Sequence, residues 1–161
     1  MGDFASSWEL SRQRLLETIS DLNDAQLNWR IHDNALSIGQ MAVHVAGVEL
    51  LFSSQLLGKQ LDGEDARIKA SATDGVVNDK AFPFADSELT QAKVQEALAT
   101  SMKLVEPIIT NPSSAILEKE LVSALGPVIT GRGAFTRLAF HSAYHQGQAY
   151  MIRTAPGFPS K

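Results

Sequence analysis

Thr130 to Arg153 reads TGRGAFTRLAFHSAYHQGQAYMIR, and this stretch decides the fold. Phe135, Leu138, Ala139, Ala149 and Ile152 recur at three- and four-residue intervals, the period of a helix with one buried face. The helix is expected to start at Gly131 or Arg132, with Thr130 as its cap, and to end near Arg153. His141 and His145 stand four residues apart within it. Residues so spaced share a face, about 6 Å apart along the axis. They fall among the apolar positions, so both imidazoles should point inward, where they can hold one metal ion. Such a pair also recurs by chance, as ordinary histidines hydrogen-bonded near a core or exposed. A third histidine, His44, lies in another helical pattern, and the question is whether the three meet.

That second pattern runs from about Ile38 to Leu57. Ser37 followed by Gln40 has the spacing of a capping box, and Gly58 suits the C-terminus. Ile38, Met41, Val45, Val48 and Phe52 form its apolar stripe, which His44 borders. Glu49 lies roughly 140° round the helix from His44, a poor partner on that face but able to meet another helix. Upstream, Phe4, Trp8, Ser11, Leu15, Ile19 and Leu22 mark a first amphipathic helix over Phe4 to Ser20. Glu9, Arg12, Arg14 and Glu17 are placed mostly on its wet side, and Trp29 is read as an apolar anchor.

From Lys59 to Ser87 the period is lost, with a brief helical turn expected at Arg67 to Ala72. Connections this long are unusual in compact folds and are often functional or mobile. Phe82 and Phe84 are expected to pin this one to the body. Ser87 is the cap candidate for a third helix over Glu88 to Glu106, which Pro107 bends or ends. Ile116 to Leu125 fits either a helix or an extended segment, and the tail from Ala155 is non-helical. Four long helices without strand alternation predict an all-α fold, a four-helix bundle with long crossover connections. Residues 1–161 are read as a single domain.

Composition narrows the function. The chain has 161 residues, 44% hydrophobic and 20% charged, with a formal net charge of −4. That is a globular profile, and without a basic cluster nucleic acid is not an expected partner. No apolar run reaches membrane-spanning length, and no signal pattern opens the chain, so a cytoplasmic location without membrane association is expected. With no cysteine, any metal must take nitrogen or oxygen ligands. His44, His141 and His145 offer three neutral nitrogens. With an open position, they suit zinc, and also nickel, iron or cobalt. Such a site would bring a bound water's pKa towards neutrality and supply a hydroxide nucleophile, or polarise a carbonyl.

Neighbouring residues offer weaker candidates. Gln148 shares the face of His141 and His145 and can orient a ligand imidazole, touch substrate, or make a plain helix–helix contact. Tyr144 points partly away, suiting packing better than acid catalysis. Gly147 suggests close approach of another helix, and Ser142 a bond to the preceding turn. Arg132 and Arg137 are candidates for an anionic substrate group, and His32 is read as a surface or capping residue. The G-x-S-x-G elbow, the H-E-x-x-H protease signature and the E-x-x-H pairs of two-metal bundles are all absent.

SIGQMAVHVAGVE (Ser37 to Glu49) and HSAYHQGQAYMIR (His141 to Arg153) resemble two helices of the DinB-like superfamily, the DinB/YfiT-like bacterial metalloenzymes. The resemblance carries the family's metal ligands onto His44, His141 and His145. LGPVITGRGAF, Leu125 to Phe135, resembles the irregular or extended run before the last helix, and argues against a helix near Leu121 to Leu125. One departure is that Tyr144 and Gln146 flank His145, where the family often has a second histidine or an arginine. The resemblance implies one divalent metal, often zinc or nickel, a small-molecule substrate and a homodimer. Some members are transferases or isomerases using low-molecular-weight thiols such as bacillithiol or mycothiol, and others are called hydrolases. Both activities are expected alternatives here, and the third is a non-catalytic metal-binding bundle with a structural, sensing or dimerisation role.

Overall fold

Four long helices close a ring. The structure, a computed structural model, describes residues 3–160. Helix α1 is Asp3–Ile19, α2 Asp24–Asn28, α3 Ile38–Leu57, α4 Gly63–Ala70, α5 Gln91–Thr110, α6 Ser114–Glu118 and α7 Gly131–Arg153. Helix α1 packs on α7, α7 on α3, α3 on α5, and α5 back on α1. This is the expected all-α four-helix bundle. The short α2 and α4 lie against α3, in the long connections. A small antiparallel hairpin, β1 Glu120–Val122 with β2 Val128–Thr130, precedes α7 and pairs Leu121 with Ile129.

Helix α3 has the expected bounds for the expected reasons. The Ser37 hydroxyl accepts from Gln40 N at 3.2 Å, the Gln40 amide oxygen accepts from Ser37 N at 3.0 Å, and Gly58 ends the helix at φ 64°. Burial departs from the single stripe: 17 of its 20 residues are buried, because α2, α4, α5 and α7 pack around it. Small residues make this possible. A Cβ on Gly47 would stand 2.4 Å from Ser71 Oγ and 2.6 Å from the Ile68 carbonyl oxygen, so α4 can seat only against a glycine.

Several boundaries move. The cap of α5 is Thr90, whose hydroxyl accepts from Lys93 N at 3.2 Å, while Ser87 lies in a 3-10 turn, Asp86–Glu88. Pro107 does not end α5: it faces solvent, and buried Val105 and Ile109 hold the last turns in place. The helix in the Lys59–Ser87 connection sits earlier than expected, at Gly63–Ala70. The connection is pinned as expected, with Phe84 buried and the Arg67 guanidinium 4.1 Å over its ring. Ile116 to Leu125 splits between α6 and β1, as the family resemblance suggested. Thr130 is at the cap position of α7, but its side chain makes no capping bond. Gly131 serves close approach, since a Cβ there would stand 2.0 Å from the Ile116 carbonyl oxygen. Trp29 anchors the tail, meeting Phe158 edge-on at 5.6 Å.

The main surprise is Arg12, which the helical period assigns to the wet side. Arg12 is 3% exposed and pairs with Glu49, itself 1% exposed. Glu49 Oε1 also accepts from Trp8 Nε1 at 2.9 Å, Oε2 accepts from the Ser101 hydroxyl, and Arg12 donates further to the Leu98 carbonyl. One carboxylate thus ties α3 to α1 and α5. Among the described residues no helix is long and apolar enough to cross a membrane.

Candidate metal centre and its cavity

The three histidines meet. His141 Nε2 lies 3.0 Å from His44 Nε2 and 3.1 Å from His145 Nε2. The rings stand edge to face, with centroids 4.5–5.0 Å apart. Helix α3 supplies the first and α7, packed on it, the other two. His44 and His145 are 4% and 5% exposed. Among the described residues no carboxylate joins the cluster, because Glu49 is committed to Arg12, Trp8 and Ser101.

Hydrogen bonding fixes one tautomer. His44 Nδ1–H donates to the Ser71 carbonyl at 2.8 Å, leaving Nε2 as a bare lone pair aimed at the other two rings. This orienting contact was not legible in the sequence, since it depends on Gly47 letting the end of α4 settle on α3. Around His145 the arrangement is looser. Its Nδ1 and Gln148 Oε1 are both buried without a hydrogen-bond partner, although the Gln148 amide is near enough to favour the protonated ring.

Burial makes all three rings reluctant to charge. Desolvation lowers the proton affinity of His44, partly offset by the Ser71 carbonyl. For His141 desolvation acts first, then repulsion from His145 and His44. His145 is lowered to about 4 by desolvation and then by His44. The rings are therefore neutral at pH 7, the form that donates nitrogen lone pairs.

The donor set fits a metal ion. With metal–nitrogen distances of about 2.0–2.1 Å and tetrahedral angles, ligand nitrogens stand roughly 3.3 Å apart, close to the separations observed. Three converging Nε2 atoms cannot all be satisfied by one another. His44 Nε2 has no hydrogen, and a single N–H on His141 cannot point well at both neighbours. One cation resolves the conflict.

The cluster opens on a cavity of about 920 Å³. Met41, Tyr144, Gln148 and Ile152 line its interior, and Ile31, His32, Ala35 and Leu36 contribute to its wall. His32 is exposed, as expected, but lines this cavity. Tyr144 is half-exposed, stacks on Phe140 at 5.9 Å and lines it too. Two readings are corrected. Gly147 meets no other helix: a Cβ there would have nothing within 4 Å, and the glycine lines the cavity. Ser142 Oγ is buried without a bond to the preceding turn. Arg132 is taken by Glu118 at 2.9 Å, whereas Arg137 makes only a 3.5 Å contact to the Gly133 carbonyl one turn back.

Neither a curated protein nor a solved structure matches the chain. A family model described as mycothiol-S-transferase matches residues 5–156, which takes in nearly all of α1, the whole of α3, α5 and α7, and the three clustered histidines. The chain belongs to the mycothiol-S-transferase family, within the DinB/YfiT-like superfamily that its two histidine-bearing helices resemble.

Proposed function

We propose that this protein is a divalent-metal-dependent transferase that joins a low-molecular-weight thiol to a small electrophile, with zinc or nickel on His44, His141 and His145. The observation that carries the reading is the convergence of three Nε2 atoms at an open cavity, with His141 Nε2 3.0 Å from that of His44 and 3.1 Å from that of His145. A divalent ion held there supplies the positive charge that lowers the pKa of a thiol reaching it. The chain's own residues do the rest. Ser71 holds the His44 ring, so its lone pair faces the site. Met41, Phe140 and Ile152 give the cavity apolar walls, which suit the apolar part of a small ligand. Gln148 is a polar group on that wall, its Oε1 without a hydrogen-bond partner, available to orient His145 or a ligand amide. The chain has no cysteine, so the sulfur must arrive with a co-substrate.

The direct test follows S-conjugate fluorescence with mycothiol and monochlorobimane, using zinc-loaded protein. Conjugation well above background, lost on chelation, is expected. Full conjugation by metal-free protein would refute the reading, and thiol-independent cleavage of ester or amide substrates would favour the hydrolase.

Gly47→Ala separates orientation from coordination. The added methyl collides with Ser71 Oγ and the Ile68 carbonyl oxygen, pushing α4 off α3 and withdrawing the acceptor of His44 Nδ1–H. Zinc affinity should fall by about 10–100-fold, the usual cost of losing an orienting partner, and stability by about 1–3 kcal/mol through overpacking. Competition with a chromophoric chelator and thermal melts measure the two. Unchanged affinity in a destabilised variant would show that the Ser71 contact does not position the ligand.

A further inference from the structure

A second, smaller cavity of about 220 Å³ also reaches the histidine cluster. It shares His44, Phe140 and His141 with the larger one. Along α7 the two diverge. The larger continues past His141 to Tyr144, Gln148 and Met151, whereas the smaller includes Arg137, one turn before His141, and Ser123 to Leu125 at the hairpin tip. A reaction between two molecules needs two places beside one reactive centre, and this is the arrangement found.

Size and charge separate their roles. The larger volume lies within the roughly 300–1,000 Å³ typical of drug-sized ligands, and the smaller lies below it. No Lys, Arg, Asp or Glu lines the larger cavity, while Arg137 is the one such residue lining the smaller. Arg137 has no acidic partner among the described residues; its one hydrogen bond is the long contact to Gly133 in its own helix. Arg132, five residues earlier, is by contrast held by Glu118. A guanidinium with unspent donors matches a carboxylate in geometry and charge.

The geometry points to a divided site, in which the larger cavity takes the thiol and the smaller one takes a small carboxylate-bearing electrophile anchored by Arg137. This rests on the transferase reading above. For a haloacetate, the thiol sulfur forms a bond to the CH2 carbon, the carbon–halogen bond breaks, halide leaves with the bonding pair, and the thiol proton passes to solvent. Arg137 acts on binding and aim: it holds the carboxylate one helical turn from His141.

Chloroacetate and chloroacetamide have nearly the same shape and differ in charge. With mycothiol and zinc-loaded protein, chloroacetate should show the larger acceleration over its own uncatalysed reaction, the measure of preference that removes the intrinsically faster alkylation by chloroacetamide. Arg137→Gln should lose about tenfold in kcat/KM for chloroacetate, as expected for one charge-assisted hydrogen bond, and clearly less for chloroacetamide, whose carbonyl accepts from the guanidinium without a charge. Ala124→Trp, filling the smaller cavity at the hairpin tip, should raise KM for the electrophile and not for the thiol. A readout independent of turnover is fluorine line broadening of fluoroacetate by metal-free protein, which should be lost in Arg137→Gln and absent with fluoroacetamide. Turnover with no preference for chloroacetate and no effect of Arg137→Gln would overturn the divided site and leave the transferase reading standing. No turnover of either electrophile or of monochlorobimane, with fluoroacetate binding still dependent on Arg137, would keep the carboxylate site and remove the transferase reading beneath it.

Discussion

Replacing Glu49 by alanine lowers the free energy of unfolding by about 3–5 kcal/mol, the usual cost of stranding one partner of a buried ion pair. Arg12 is 3% exposed and cannot reach bulk water by a simple change of rotamer. Its remaining partners are the Leu98 carbonyl and the Trp8 ring, 5.5 Å away, and neither neutralises a guanidinium. Trp8 Nε1–H and the Ser101 hydroxyl lose their acceptor in the same step. The pair as a whole is a different matter, because desolvating both ions offsets most of their attraction. The double variant Arg12→Met with Glu49→Leu is therefore expected to recover much of the loss, with a large coupling energy in the double-mutant cycle. Urea titration of Glu49→Ala and of the four proteins of that cycle measures this. A loss below about 1 kcal/mol in Glu49→Ala would mean that the network contributes little beyond its packing. The consequence for the site is indirect: Glu49 anchors the helix that carries His44, five residues earlier, to α1 and α5.

The same network shows where sequence reading stops. The period of α1 places Arg12 beside the stripe of Trp8, Ser11 and Leu15, and a charged residue at such an edge is ordinarily solvated. Only a carboxylate 37 positions away, on a helix enclosed by its neighbours, makes burial the better state. Helix α3 was legible in its ends, because capping is chemistry between residues three apart. Its complete burial was not, since that depends on what surrounds it. The three histidines were legible as candidates because two of them share a helix face, and the fold then had to supply the third. The Ser71 acceptor was hidden, because it is a backbone carbonyl brought to His44 by the absence of a side chain at Gly47. Gly147 misled for the opposite reason: a missing side chain can mark open space as well as close contact. Arg137 stood in view as a possible anion contact, but its setting beside a second cavity required the hairpin tip at Ser123 to Leu125, which local periodicity could not place.

Alanine at His44, His141 or His145 is expected to abolish stoichiometric zinc or nickel binding. Two imidazoles remain in each variant, and affinity should fall by more than the roughly 10–100-fold that loss of an orienting partner costs. Metal analysis of untagged protein, beside a chelator competition, is the measurement, and full metal content in His44→Ala or His145→Ala would refute the trio. The metal-free protein provides a second test with a definite sign. All three histidines have proton affinities below the ordinary 6.5, and His145 is lowered to about 4. Protons therefore bind the unfolded chain first as pH falls. The stability that the neutral rings contribute is complete above 6.5 and is lost on the way down to the folded value, by about 2 kcal/mol at about pH 5 for His145 alone. His145→Ala should flatten that part of the metal-free stability profile, although it removes a buried side chain. Bound metal should shift the onset of acid destabilisation lower, because the ion competes with the proton for the same Nε2 atoms. A metal-free profile without any slope between pH 6.5 and about 5 would mean that the rings protonate as readily in the fold as out of it. The cluster would then be open to water rather than a desolvated set of lone pairs, and the case for a metal centre would lose its electrostatic basis.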